Sequence, residues 1–190
     1  SAARNLSERY MSYTPHIDAL TQMATLIFDT MKKVHGLGRR ERLLLQVAAI
    51  LHDCGKFISM SAPGECAYQI IMSTEILGIS HMEREMVASI VRYNTMELPN
   101  FSEFDGKLGN DEYLIVMKLA AILRVCNALD RSHRQKFADM KLTIKDSNIV
   151  ITTAYPDNIT LEKKTLQDKQ DFFEEVYGLG FEIKQKKKKQ

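Results

Sequence analysis

The chain has 190 residues, 45% hydrophobic and 26% charged, with 26 Lys and Arg against 24 Asp and Glu. That length suits one domain with a small appendage and a real core, and the composition is that of a globular protein. Five of the cations (Lys184, Lys186, Lys187, Lys188 and Lys189) sit in a short tail; without them 21 basic residues face 24 acidic ones, a balance that argues against specific nucleic-acid binding.

No apolar run approaches the roughly 20 residues that span a bilayer, and no secretory leader is visible, so no membrane partner is expected. Cys54, Cys66 and Cys126 are odd in number and follow no disulfide or zinc-knuckle spacing, which points to a reducing cytoplasm. The chain opens at Ser1 rather than Met and reads as a piece of something longer. The lysine tail reads as a solvated end, with a phosphate-rich polyanion as its alternative partner.

In chain order, residues 4–11 form a short predicted helix, and Thr14-Pro15 ends it or starts the next. Ile17, Leu20, Met23, Ala24, Ile27, Phe28 and Met31 recur at three- and four-residue steps, predicting an amphipathic helix of four to five turns with His16 in its first turn. His35-Gly36-Leu37-Gly38 is a loop. The helix over 41–51 is almost wholly apolar from Leu43 and belongs in the core. It delivers His52-Asp53 at its end, and Gly55 is expected to turn left-handed there. Residues 65–77 read as a helix stopped by Gly78. Ser80-His81-Met82-Glu83 is a capping box opening a helix that runs to Arg92-Tyr93-Asn94. A loop over 98–111 holds Pro99, Gly106 and Gly109, and a long helix carries Tyr113 through Leu129.

After residue 136 the period becomes alternating. Met140, Leu142 and Ile144, the turn Asp146-Ser147-Asn148, then Ile149 and Ile151 predict a hairpin. A helix over 165–176 and a third strand at Phe181-Glu182-Ile183 follow. The fold class is therefore mostly α, a helical bundle over 1–135 carrying a small α+β appendage over 136–183, then the Lys-rich tail 184–190.

The chemistry gathers at Ala48-Ala49-Ile50-Leu51-His52-Asp53-Cys54-Gly55-Lys56. A neutral imidazole beside a carboxylate is a donor pair suited to a catalytic divalent metal, and Lys56 is a mobile point charge of the kind that meets phosphate. The plain alternative is an ordinary helix end, with His52 favoured by the dipole and Asp53 solvated.

The order His16, then His52-Asp53, then a polar position late in another helix resembles the HD superfamily of metal-dependent phosphohydrolases, whose pattern is H…HD…D on a helical bundle. Residues 48–56, Arg92-Tyr93, and the run from Leu119 through Arg124 to Leu129-Asp130-Arg131-Ser132 resemble the HD-type C-terminal region of exopolyphosphatase/guanosine-pentaphosphate phosphatases, the Ppx/GppA family. The resemblance implies a metal set of His16, His52, Asp53 and residue 127, with Lys56 as phosphate clamp. It implies a divalent cofactor (Mn, Mg or Zn). It also implies N-terminal actin-like phosphatase domains in the same parent chain, where hydrolysis of polyphosphate or the guanosine nucleotide resides. This chain has no Gly-rich phosphate loop on a strand, so those domains are expected to lie outside it.

Three departures from the family pattern bear on that set. Residue 127 is Asn127 where the family has Asp, so the site is expected to be eroded; a lost carboxylate costs on the order of several kcal/mol of cation attraction. Asp130 lies about one turn on. Family histidines before the Tyr68 helix read Ala62 and Glu65, and the family Ser reads Cys66; Glu65 could compensate as a ligand. The family Arg-Tyr-His ends as Arg92-Tyr93-Asn94. If Cys54, Cys66 and Cys126 converge, the pocket is a repacked apolar core or, more sharply, a thiolate zinc site. The leading expectation is an inactive or weakly active accessory domain serving dimerisation, polyanion binding or regulation, with weak or no metal. The alternatives are a self-sufficient metal-dependent phosphohydrolase and a helical interaction module.

Overall fold

The computed structural model describes residues 1–104 and 107–186. Gly106 of the expected loop and Lys187, Lys188 and Lys189 of the tail lie outside the described residues.

Helices α1 (Ala2–Arg9), α2 (Thr14–Thr30), α3 (Lys32–His35), α4 (Arg39–Leu51), α5 (Pro63–Met72), α6 (His81–Arg92) and α7 (Asn110–Leu129) form the body. A 3₁₀ turn at Phe101–Glu103 lies in the loop before α7. The two central helices are α4 and α7. From Val47 to Leu51 every residue of α4 is buried, and α7 buries Val116 and the run Leu119–Leu123. A helix apolar on all sides belongs inside a bundle, and α2, α6 and α7 pack against α4. The capping box is formed as expected: Ser80 Oγ accepts from the Glu83 amide and Glu83 Oε2 accepts from the Ser80 amide.

Most helix ends lie within two residues of the sequence expectation, His35 falls in α3 rather than in the loop, and two elements differ more. α5 ends at Met72, not near 77. Ile76 is still buried, but it reaches the core from a turn, so its apolar spacing imitates a helix that has already stopped. The single helix expected over 165–176 is two, α8 (Thr160–Lys169) and α9 (Asp171–Tyr177), broken at Gln170.

The hairpin pairs β1 (Lys141–Lys145) with β2 (Asn148–Thr153) antiparallel. Asp146 and Ser147 both have positive φ, the mirror-image turn that matches strand twist. The expected third strand is β3 (Gly180–Gln185), and it lies parallel to β2 in register Ile149↔Phe181 and Ile151↔Ile183. Parallel pairing requires a crossover, which α8 and α9 supply. The architecture is thus mostly α with a small α+β appendage, as the changing period indicates. Its buried side chains Phe137, Ile149, Ile151, Leu166 and Phe173 belong to the same apolar cluster as the bundle, and Tyr177 donates to the Lys118 carbonyl of α7.

Candidate metal centre

Three helix ends meet at one place. His16 comes from the first turn of α2, His52 caps α4 with Asp53 next, and Asp130 caps α7. All four are buried, His16 completely and Asp53 to within 7%. Asp53 is therefore not the solvated end of an ordinary helix.

The hydrogen bonds fix both imidazoles. His52 Nδ1 lies 2.7 Å from the Ala49 carbonyl, which can only accept, so Nδ1 carries the proton. His16 Nδ1 lies 2.7 Å from Asp130 Oδ2 and donates likewise. The other Asp130 oxygen accepts the Gln135 amide at 2.7 Å. Both Nε2 atoms are consequently left with lone pairs, and they face each other at 3.0 Å. Asp53 spans the pair, with Oδ1 3.2 Å from His52 Nε2 and Oδ2 3.8 Å from His16 Nε2.

Two lone pairs at that distance repel unless something positive lies between them. A shared proton or a metal cation meets that need. The spacing fits a cation, because two donors about 2.1 Å from one ion at right angles stand about 3.0 Å apart. Among the described residues, His16, His52 and Asp53 form the one group of three His, Cys, Asp or Glu whose ligand atoms all lie within 4.8 Å of one another.

The electrostatics keep the imidazole neutral and the carboxyl ionised. Burial pushes the His52 ring from 6.5 down to about 4 and so keeps it neutral. Burial works to raise the Asp53 carboxyl, but the hydrogen bond and charge of the Lys56 ammonium oppose it, and the carboxyl is held low. Lys56 Nζ sits 2.7 Å from Asp53 Oδ1. Lys56 also lines, with Tyr10, Tyr13, Phe57 and His133, a cavity of about 270 Å³ that touches Asp53. His133 stacks on His16, ring centres 3.8 Å apart, and Tyr13 lies parallel beyond it. Burial and the neighbouring His16 lower the His133 ring.

The remaining expected site residues fall elsewhere. The carboxylate that α7 brings to His16 belongs to Asp130; Asn127 lines a separate cavity with Asn94 and Arg124. Glu65 pairs with Arg92 at 2.9 Å, and the Arg92 guanidinium lies over the Tyr68 and Tyr93 rings. The cysteines form no thiolate group among the described residues. Cys54 is buried, which pushes its thiol up to about 12, and Cys126 is raised further by the same cause. His133 and Gln135 escape sequence reasoning altogether. Both have positive φ, in the turn after α7 that folds back over Asp130 and His16, and no helical or alternating period marks such a turn.

Gly55 also has another reason than the expected one. Its φ is not left-handed. Instead a Cβ there would stand 1.9 Å from the Pro63 carbonyl oxygen and 2.6 Å from the Ala67 amide nitrogen. Glycine lets the start of α5 pack directly on the His-Asp turn.

The fold is a helical bundle in which His16, His52, Asp53 and Asp130 converge, buried, from three helix ends. The family model for the Ppx/GppA phosphatase, domain III, matches residues 1–171, and the chain belongs to that family. A guanosine-5'-triphosphate,3'-diphosphate pyrophosphatase of Photobacterium profundum is 21% identical over 148 residues, 78% of this chain and 29% of that protein. The chain thus spans less than a third of the length of that relative. No described helix is long and apolar enough to cross a membrane.

Proposed function

We propose that this chain is an HD-type, divalent-cation-binding accessory domain of a Ppx/GppA-type phosphatase, with phosphoanhydride hydrolysis carried by other domains of the parent. The observation that carries this reading is the pair of His Nε2 lone pairs, 3.0 Å apart, each oriented by a fixed Nδ1 partner. Donors oriented in this way by an outer hydrogen bond are characteristic of metal sites. His16, His52 and Asp53 would hold the ion, with Asp130 orienting His16 and offsetting charge. On this reading the site is less eroded than residue 127 alone suggests, because Asp130 supplies the second carboxylate.

A cation held there would contribute Lewis-acid polarisation of a bound phosphoryl oxygen. The chain's own residues would do the rest: Lys56 neutralises charge at the cavity mouth, and the stacked Tyr13 and His133 rings keep water from His16. The accessory role is supported by the depth of the donors and by Lys56 occupying one Asp53 oxygen. In this reading the parent acts on polyphosphate or on the guanosine nucleotide named in the relative.

A second reading, a self-sufficient metal-dependent phosphohydrolase, is favoured by the cavity of about 270 Å³ that reaches Asp53 and Lys56. The deciding experiment loads the purified chain with Mn, Mg or Zn, measures bound metal, and assays an aryl phosphate ester and polyphosphate. We expect close to one ion per chain, lost in His52→Ala, and no sustained turnover. Turnover that disappears in His52→Ala would move the assignment to the second reading. Metal-free protein after loading with all three ions would sink both.

A further inference from the structure

The sheet of the appendage ends on an open edge. Its strand order is β1-β2-β3, and among the described residues no strand lies on the outer side of β3. The inner side is fixed: the Gly180 amide donates to the Ser147 carbonyl at 3.0 Å, and the Lys186 amide to the Thr153 carbonyl at 2.9 Å. With the parallel register between those bonds, the backbone groups of Gly180, Glu182 and Lys184 turn towards β2. Those of Phe181, Ile183 and Gln185 therefore point out of the sheet. The side chains alternate across it. Phe181 packs on Phe173, ring centres 4.7 Å apart, whereas Glu182 and Lys184 stand on the opposite face with side chains 52% and 58% exposed. Gln185 Nε2 donates to the Tyr155 and Asp157 carbonyls, 2.7 Å from each, which pins the end of the strand.

A row of unmet amides and carbonyls is a template for another strand, and the charges say which strand fits. A second copy of β3, laid antiparallel about a two-fold axis, must set outward-facing residues against outward-facing residues. Centred on Glu182, that pairing puts Glu182 opposite its own copy; centred on Lys184, it puts Lys184 opposite its own copy. Like charges directly opposite are destabilising. Centred on Ile183, the pairing puts Glu182 opposite Lys184 of the second copy, twice by symmetry. Phe181, Ile183 and Gln185 then exchange backbone hydrogen bonds with the second copy. The opposite charges fall at the non-hydrogen-bonded positions, where side chains of antiparallel strands come closest.

The other edge is built in the contrary way. β1 has Lys141 and Lys145 at its two ends, so its own antiparallel pairing of greatest overlap sets lysine against lysine. Lysine placed in this way guards an edge against self-association.

We propose that two copies of this chain join through β3, antiparallel and centred on Ile183, to form one continuous sheet across a two-fold dimer. The contact does not involve the His16–His52 centre. It is one strand wide, so the dimer is a weak one that depends on concentration.

The test is sedimentation equilibrium of the 190-residue chain, with amide hydrogen exchange read at low and high concentration. We expect the mass to climb towards two chains, with a Kd below about 1 mM. Exchange at Phe181, Ile183 and Gln185 should slow with concentration, while Gly180, Glu182 and Lys184 stay unchanged. Glu182→Lys and Lys184→Glu should each weaken the dimer by at least about fivefold. The swap E182K/K184E restores the opposite charges and should restore the affinity, with the swapped chain pairing with itself in preference to the original. All these side chains are exposed, so none of the variants disturbs the core. A single-chain mass up to about 1 mM, a dimer indifferent to the single variants, or a swap that fails to recover it would overturn the proposal. A mass growing beyond two chains would also overturn it, because the Ile183-centred pairing closes on itself.

Discussion

At the scale of single residues, the site depends on which nitrogen of each histidine carries its proton. Asp130 accepts from both His16 Nδ1 and the Gln135 amide. Asp130→Asn leaves one acceptor for two donors and frees the His16 ring to change tautomer. We expect about 10- to 100-fold weaker metal affinity with the donors themselves intact, measured by competition with a chelating dye; an unchanged constant would remove Asp130 from the site. The His52 ring makes stability depend on pH in its own way. Its folded pKa is depressed from 6.5 to about 4, so the folded chain refuses a proton that the unfolded chain accepts. The contribution is complete above the unfolded value and is lost as pH falls towards 4, on the order of 3 kcal/mol across that window. The urea midpoint of metal-free protein should therefore drop between about pH 7 and about pH 4.5, and drop less in His52→Leu. Much of this was legible in the sequence: His16, His52 and Asp53 stand out by order and chemistry. The choice between Asn127 and Asp130 was not, because three residues differ by only about 60° around a helix and periodicity cannot separate them.

At the scale of elements, the His-Asp turn is held in place by α5. The Gly55 position makes that contact measurable. Gly55→Ala places a methyl against backbone atoms of Pro63 and Ala67, which cannot swing aside as a side chain can. We expect a loss of at least about 3 kcal/mol or failure to fold, seen as a large fall in urea midpoint; a change below about 1 kcal/mol would show that α5 can retreat. The helices were readable wherever caps and apolar stripes agreed, as at Ser80 and Glu83. They were misread where one signal stood alone. Ile76 extended the apolar pattern past Met72, and Gln170, with neither Gly nor Pro to mark it, breaks α8 from α9.

At the scale of the molecule, the change of period near residue 136 correctly marks where strands begin, yet the apolar core continues across it. Phe173, fully buried in the appendage, packs with Tyr177 and Phe181 within the same cluster that holds α7. The appendage and bundle should therefore unfold together: far-ultraviolet circular dichroism and tyrosine fluorescence should give one coincident transition. Two separated transitions would show that residues 136–183 are a unit of their own.

The His16–Asp130 hydrogen bond joins residues 114 positions apart. Closing so long a loop is entropically expensive, and little is gained until both partners are already placed by packing. The donor set is accordingly a late product of folding, assembled after the helices that carry it. Interactions absent from the folding transition state act on the rate of unfolding, so a cation bound between the histidines, as proposed above, would act chiefly as a brake on opening, lengthening the life of the folded chain while leaving the speed of its formation almost untouched.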